Sequence, residues 1–185
     1  MGLGKSLGIS FLIYIVLNFL MNMLIVVAAN VVPLMDWFMT ITTDTYQFLS
    51  TLFVIQTLGP SGMSIIGGIA GGLALLTGGG NIFLGIMWIC APIFPGLISA
   101  IVAGKMADNS KQSFGSWMLT ALISAGALVV FAFLDPTLVN DVLIYITVLA
   151  GGIPEAWEVV TYTLLIGVIS GLFWSGLAAI SGAED

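Results

Sequence analysis

The chain has 185 residues, of which 59% are apolar and 6% are charged, and its mean hydropathy is +1.19. Soluble domains carry about 25% charged residues, so this chain cannot cover a water-facing surface. With three lysines, no arginine and no histidine, the sequence offers no basic surface for phosphates, which excludes nucleic acid as a partner. The composition predicts an integral membrane protein whose main partner is the lipid bilayer.

The hydrophobic segments predict an all-α fold: a polytopic transmembrane helix bundle of six to seven segments, forming a single integral membrane domain over residues 1–185. Four segments are about 20 residues or longer, as a full crossing requires: 7–30, 82–106, 114–134 and 157–180. The first is too long for the apolar part of a signal peptide, so it is interpreted as a membrane helix. Pro92 and Pro95 predict a kink in the segment 82–106.

Three further apolar segments, 45–58, 64–77 and 141–153, are short or broken by glycine and proline. About 15 helical residues cover roughly 22 Å, against a hydrocarbon core of about 30 Å. These segments are therefore tilted, extended by their flanks, or re-entrant. The sequence does not separate these alternatives.

The three lysines predict the orientation, because positive residues are retained on the cytoplasmic side of a membrane. Lys5, Lys105 and Lys111 flank the first, fourth and fifth segments. We therefore expect the N-terminus and the 105–112 loop to be cytoplasmic, in a multi-pass protein of the cell membrane.

Features that recur in the same order predict an internal duplication. Lys5, Ser10, Tyr14 and Asn18 match Lys111, Ser116, Thr120 and Ser124 at a constant offset, whereas later matches need gaps. The interpretation is a three-plus-one-plus-three plan with repeats 5–80 and 111–182 joined by the helix 82–106. The alternative is chance similarity between apolar helices that contain glycine.

Polar residues inside the apolar segments are the candidates for function. Ser10, Tyr14, Asn18 and Asn22 form one stripe on the first helix and are expected to face protein, either as interhelical hydrogen bonds or as the lining of a solute path. On the solute-path hypothesis, the path residues are Asn18, Asn22, Asp44 and Gln47 on one side and Asp141, Tyr145 and Thr147 on the other.

The carboxylates admit a simpler interpretation. Asp44 at the middle of a membrane would imply function, but at the start of a helix it is a favourable first-turn residue. Glu155 and Glu158 follow Pro154 and are likewise expected to begin the last helix.

Small residues every fourth position predict close helix packing, within one chain or between copies. The predicted packing residues are Gly67, Gly71, Gly96, Ala100, Gly104, Gly167, Gly171 and Ser175. A backbone-lined passage is the alternative role for these positions.

Two functions remain open. Short, glycine- or proline-broken segments favour a transporter or channel-like protein for a neutral or weakly polar small solute. Packing-rich helices with short loops favour a non-catalytic accessory subunit of a larger membrane complex, or the solute-capturing component of one, with a homo-oligomer or other membrane subunits as partners. No catalytic residue, metal ligand set or cofactor motif is found, so we expect neither an enzyme nor a bound cofactor.

Overall fold

The structure, a computed structural model, describes residues 2–30, 32–53, 61–138 and 153–182, with the helical backbone alone for 61–67. These residues form helices and no strands. The helices are α1 (Leu3–Ala29), α2 (Leu34–Thr43), α3 (Thr45–Ser50), α4 (Ser61–Thr77), α5 (Ile82–Cys90), α6 (Phe94–Met106), α7 (Ser110–Leu134) and α8 (Ala156–Ser181).

Four helical stretches are long and apolar enough to cross a membrane: α1, α5 together with α6, α7 and α8. The described residues thus show the all-α class, and their four apolar helical stretches suggest a membrane location. The predicted count of six to seven segments is not confirmed, and neither is the internal duplication. The segment 141–153 lies outside the described residues except for Ile153.

The ends of the long helices follow local sequence signals. α1 ends where Asn30 adopts a left-handed conformation with a φ of 52°, a common way to end a helix. The kink predicted in the segment 82–106 is present as a turn at residues 91–93, which separates α5 from α6. Glu155 and Glu158 form a reciprocal capping box that begins α8, as expected for acids at this position.

The four long stretches pack as two parallel pairs, α1 with α7 and α5–α6 with α8, and the two pairs run in opposite directions. Ser6 Oγ donates to the carbonyl of Ala103 at 2.8 Å, and at the other end of α1 Asn81 Nδ2 donates to the carbonyl of Ala28 at 2.6 Å. α1 is therefore antiparallel to α5 and α6. Ser113 Oγ donates to the carbonyl of Ala178 at 3.0 Å, which pairs the start of α7 with the end of α8.

This arrangement separates most of the charges by sign. All three lysines lie at one end, which we call the lysine end: Lys5 in α1, Lys105 in α6 and Lys111 in α7. Asp135, Glu155 and Glu158 lie at the opposite end, which we call the acidic end. The described N-terminal and C-terminal helix ends are both at the lysine end.

The chain between α1 and α5 leaves and returns to the acidic end. Residue 30 and Asn81 are both near that end, yet Phe53 lies beside the middle of α1, where its carbonyl accepts a hydrogen bond from Tyr14 Oη at 3.2 Å. α4 then leads back and packs against α5 and α8. Of the three alternatives for the segments 45–58 and 64–77, the positions of the described parts, 45–53 and 64–77, favour the re-entrant one.

The helix α2 lies between the predicted segments 7–30 and 45–58, in a sequence that contains three threonines. The structure shows that these hydroxyls bond back to the helix: Thr40 Oγ1 donates to the carbonyl of Trp37 at 2.6 Å, and Thr42 Oγ1 to that of Met39 at 2.8 Å. Hydroxyls satisfied in this way can sit on a helix in apolar surroundings. Trp37 itself is buried in an aromatic cluster with Phe19 and Phe48.

Glycines allow α6, α7 and α8 to approach closely. A Cβ on Gly96 would lie 2.6 Å from Trp174 Nε1, and one on Gly104 would lie 2.7 Å from the carbonyl of Ala178. A Cβ on Gly167 would lie 2.6 Å from that of Ala125. Both α6 and α7 therefore pack closely against α8.

Cysteine labelling tests the path of the chain. In a Cys90→Ala background, we expect Met35→Cys, Thr77→Cys and Ala156→Cys to react with a membrane-impermeant reagent from one side, and Leu3→Cys from the other. The reason is that the first three positions lie near the acidic end. Labelling of Met35 and Thr77 from opposite sides would contradict a re-entrant path.

Glycine substitution tests the close packing. Gly96→Ala should lower the free energy of unfolding by about 1–3 kcal/mol, the usual cost of overpacking. Gly126→Ala is the matched control, because nothing lies within 4 Å of a Cβ at that position and alanine favours a helix. Unfolding in detergent or bicelles measures both, and equal stability of the two variants would contradict the packing.

Candidate solute site

Hydroxyl side chains form a buried seam along α7. Ser113, Ser116, Thr120 and Ser124 are all buried, at spacings of three or four residues that place them on one helix face. Ser116, Thr120 and Ser124 each donate to a carbonyl three or four residues earlier, at 2.8–3.1 Å. Most of this seam is therefore satisfied within the helix.

At the lysine end, serines connect the long helices. Ser6 Oγ of α1 lies 2.9 Å from Ser116 Oγ of α7 and donates to the carbonyl of Ala103 in α6. Ser113 Oγ donates to the carbonyl of Ala178 in α8. Side-chain hydrogen bonds between membrane helices are worth about 0.6 to 2 kcal/mol each, so this serine cluster fixes how the four helices meet.

Near the middle of the bundle, α1 holds the end of α3. Asn22 Nδ2 donates to the carbonyl of Thr51 at 3.0 Å, and Tyr14 Oη donates to the carbonyl of Phe53. Non-helical backbone at this depth must find partners in protein or water, because lipid offers none. The stripe on α1 thus supplies partners for the carbonyls of the turn at 51–53.

Four buried side-chain atoms in the described part of the chain have no hydrogen-bond partner: Asn18 Nδ2, Trp117 Nε1, Thr163 Oγ1 and Ser175 Oγ. Leaving a buried donor or acceptor unpaired costs about 1–3 kcal/mol. Such a cost is expected where a site binds something that completes the hydrogen bonds.

Two of the four residues with unpaired atoms, Trp117 and Thr163, line one cavity between α1, α7 and α8. Its volume is about 20 Å³, and its lining includes both Trp117 and Thr163. The other lining residues are Tyr14, Phe53, Ala121, Ser124, Ala125, Leu128, Gly167 and Ser170. The rings of Tyr14 and Trp117 meet edge to face, with centroids 5.1 Å apart.

The lining combines apolar side chains with four hydroxyls and the indole of Trp117, and it carries no carboxylate and no amine among its ten residues. Hydroxyls can donate and accept hydrogen bonds, whereas the indole N–H of Trp117 can donate one. The site can therefore bind a neutral molecule by hydrogen bonds. An ion would lose its hydration without a charged partner, at a far greater cost.

The predicted path residues are distributed over different parts of the structure. Asn18 and Asn22 are buried on the same face of α1 as Tyr14. Asp44 lies between α2 and α3, and Gln47 is half-buried in α3. Asp141, Tyr145 and Thr147 lie outside the described residues.

The predicted packing residues lie mostly at helix contacts. Gly96, Gly104 and Gly167 contact neighbouring helices without room for a Cβ, and Ala100 is fully buried. A Cβ on Gly71 would lie 2.6 Å from the ring of Trp88, and one on Gly171 would lie 2.8 Å from Met118 Sδ. Gly67 is in α4, but its surroundings are outside the described contacts. Ser175 is also buried, and its hydroxyl has no hydrogen-bond partner.

Trp117, Thr163 and Ser170 were missed as site residues. The signal that could have found two of them is on α8, where Thr163, Gly167 and Ser170 follow a helical repeat on a largely apolar helix. Trp117 gave no such signal, because a tryptophan in an apolar helix is ordinary. Comparison with known proteins finds no matching family model, no similar curated protein and no similar solved structure.

The two asparagines allow a matched test of the hydrogen bonds. Asn22→Leu should lower the free energy of unfolding by about 1 kcal/mol, because it removes the donor to Thr51. Asn18→Leu should cost less, because its amide nitrogen has no partner. Unfolding in bicelles measures the difference, and a larger loss for Asn18→Leu would show that the assignment is wrong.

Proposed function

We propose that the protein is a transporter or channel-like protein, without catalytic activity, for a neutral or weakly polar small solute. The observation that carries the proposal is the cavity between α1, α7 and α8. Its lining includes Trp117 and Thr163, each of which has a polar atom without a hydrogen-bond partner. Polar atoms buried without a partner are costly, and a bound solute that completes their hydrogen bonds would remove that cost.

The positions of residues 34–53 and 61–77, which favour a re-entrant path, support the same proposal. Irregular backbone at membrane depth is tolerated where it is buried in protein or lines an aqueous cavity. Phe53, just beyond α3, lines the cavity and is tied to Tyr14. The described part of this segment therefore reaches the proposed solute site at Phe53, as expected if the segment helps to form that site.

The outside of the bundle supports a location in a cell membrane. Large apolar side chains such as Leu12, Phe173 and Ile180 are more than half exposed. The lysine end is proposed to be cytoplasmic, because lysines are retained on that side. The acidic end, from which the re-entrant segment enters, would then face outward.

Flux measurements test the proposed function. Liposomes containing the purified protein should take up at least one neutral solute, in a series of sizes from water to glycerol, faster than protein-free liposomes. Ala121→Leu should reduce this flux, because it places a larger side chain in the cavity lining. Ala127→Leu, on the same helix but not in the lining, should not.

The absence of flux for every solute in the series would contradict the proposal. Equal loss in both variants would also count against it, because the cavity would then not be the path. Gel filtration in detergent establishes beforehand that each variant is folded.

A second candidate is an accessory subunit, and one observation favours it. Gly4 and Gly8 form a small-xxx-small pair on α1 that is exposed, and nothing lies within 4 Å of a Cβ at either position. Such pairs mediate contact between membrane helices, so α1 could meet a second copy or another subunit there.

Association in membranes tests this candidate. If Gly4 and Gly8 form an interface, Gly8→Leu should reduce energy transfer between labelled copies or co-purification of a partner. Gly126→Leu is the control, because Gly126 also has nothing near it but lies on α7. A monomer without partners, unaffected by Gly8→Leu, would exclude this role for the surface.

A further inference from the structure

We propose that the cavity selects neutral, hydrogen-bonding molecules of about the size of water, and that Trp117 and Thr163 are the selective groups. This inference rests on the proposed function and narrows its substrate class. Larger solutes such as urea or glycerol, and ions, would be excluded. Three observations support it: the size of the cavity, the chemistry of the unpaired atoms and the lack of charge in the lining.

The size of the cavity sets the first limit. About 20 Å³ accommodates roughly one water molecule, which needs about 10–15 Å³. The wall formed by α7 and α8 has little room to yield, because Gly167 and Ala125 meet with no space for an additional Cβ. A larger solute would require these two helices to separate.

The unpaired atoms define the hydrogen-bonding pattern. Trp117 is 1% exposed and Thr163 is 0% exposed, so neither side chain reaches water at the protein surface. Trp117 Nε1 can donate but not accept, and Thr163 Oγ1 can do either. Their complement is a molecule that accepts from the indole and exchanges a hydrogen bond with the hydroxyl. Water satisfies both requirements.

The lining also disfavours ions of either sign. A cation could contact the hydroxyl oxygens, yet no carboxylate is among the ten lining residues to balance its charge. An anion could accept from Trp117, yet no lysine is among the ten lining residues to balance its charge. Since burying an unpaired charge costs far more than a neutral hydrogen bond returns, ions should not pass.

Stopped-flow light scattering on liposomes containing the full chain tests the inference, with water, urea and glycerol as probes. Thr163→Val is the central variant, because it removes the hydroxyl at nearly constant volume. Thr163→Ser is its control, because it keeps the hydroxyl. Trp117→Phe removes the other donor, and a proton-sensitive dye trapped in the liposomes reports ion leakage.

We expect water to pass faster than through protein-free liposomes, and urea, glycerol and protons not to. Thr163→Val and Trp117→Phe should each lower water permeability about fivefold, the factor that one net hydrogen bond is worth. Thr163→Ser should stay within about twofold of the unmodified protein, because its hydrogen bond remains.

The outcomes separate this inference from the proposed function. If urea or glycerol passes as readily as water, or if Thr163→Val and Thr163→Ser behave alike, the selectivity is wrong although transport stands. If no probe passes, both the proposed function and the inference fail. Should a variant not fold, which gel filtration shows, the remaining variant at Trp117 or Thr163 decides the role of the unpaired atoms.

Discussion

The bilayer provides no water, so each polar group inside it must find a partner within the protein. This constraint accounts for the main features of the bundle. Hydroxyls along α7 donate to carbonyls of their own helix. Serines at the lysine end connect α1, α6, α7 and α8. Asn22 and Tyr14 donate to the carbonyls that follow α3. Because lipid removes the hydrophobic drive between helices, these bonds and the close contacts of glycines decide which helices meet.

Two of the four exceptions among the described residues lie at one cavity. Trp117 Nε1 and Thr163 Oγ1 are buried without partners, and both residues line the same small cavity. A group that is costly to bury persists where its surroundings hold it in place, and such groups cluster at functional sites. The contrast between a satisfied seam and an unsatisfied cavity is the physical basis for placing a solute site between α1, α7 and α8.

Much of the fold could be predicted from the sequence because the signals are local. Four long apolar runs, the prolines at 92 and 95 and the acids at 155 and 158 predict helices, a break and a cap that the structure contains. The sequence does not show whether the segments 45–58 and 64–77 are tilted, extended by their flanks or re-entrant, because segment length allows all three. The helix α2 was missed because its threonines are polar in the sequence, whereas in the structure two of their hydroxyls donate to carbonyls of the same helix. Thr163 and Trp117 were missed because an unpaired atom exists only relative to its neighbours in space.

The hydration of the Trp117 side chain tests most directly whether the unpaired atoms face a small hydrogen-bonding molecule. Water-edited solid-state NMR in bilayers detects transfer of magnetisation from water to each indole N–H. Trp157, which is 59% exposed at the acidic end, is the hydrated reference, and Trp174, which is 3% exposed, is the dry one. We expect the Trp117 signal to build up nearly as fast as that of Trp157. A build-up as slow as that of Trp174 would contradict a hydrated site at the centre of the bundle.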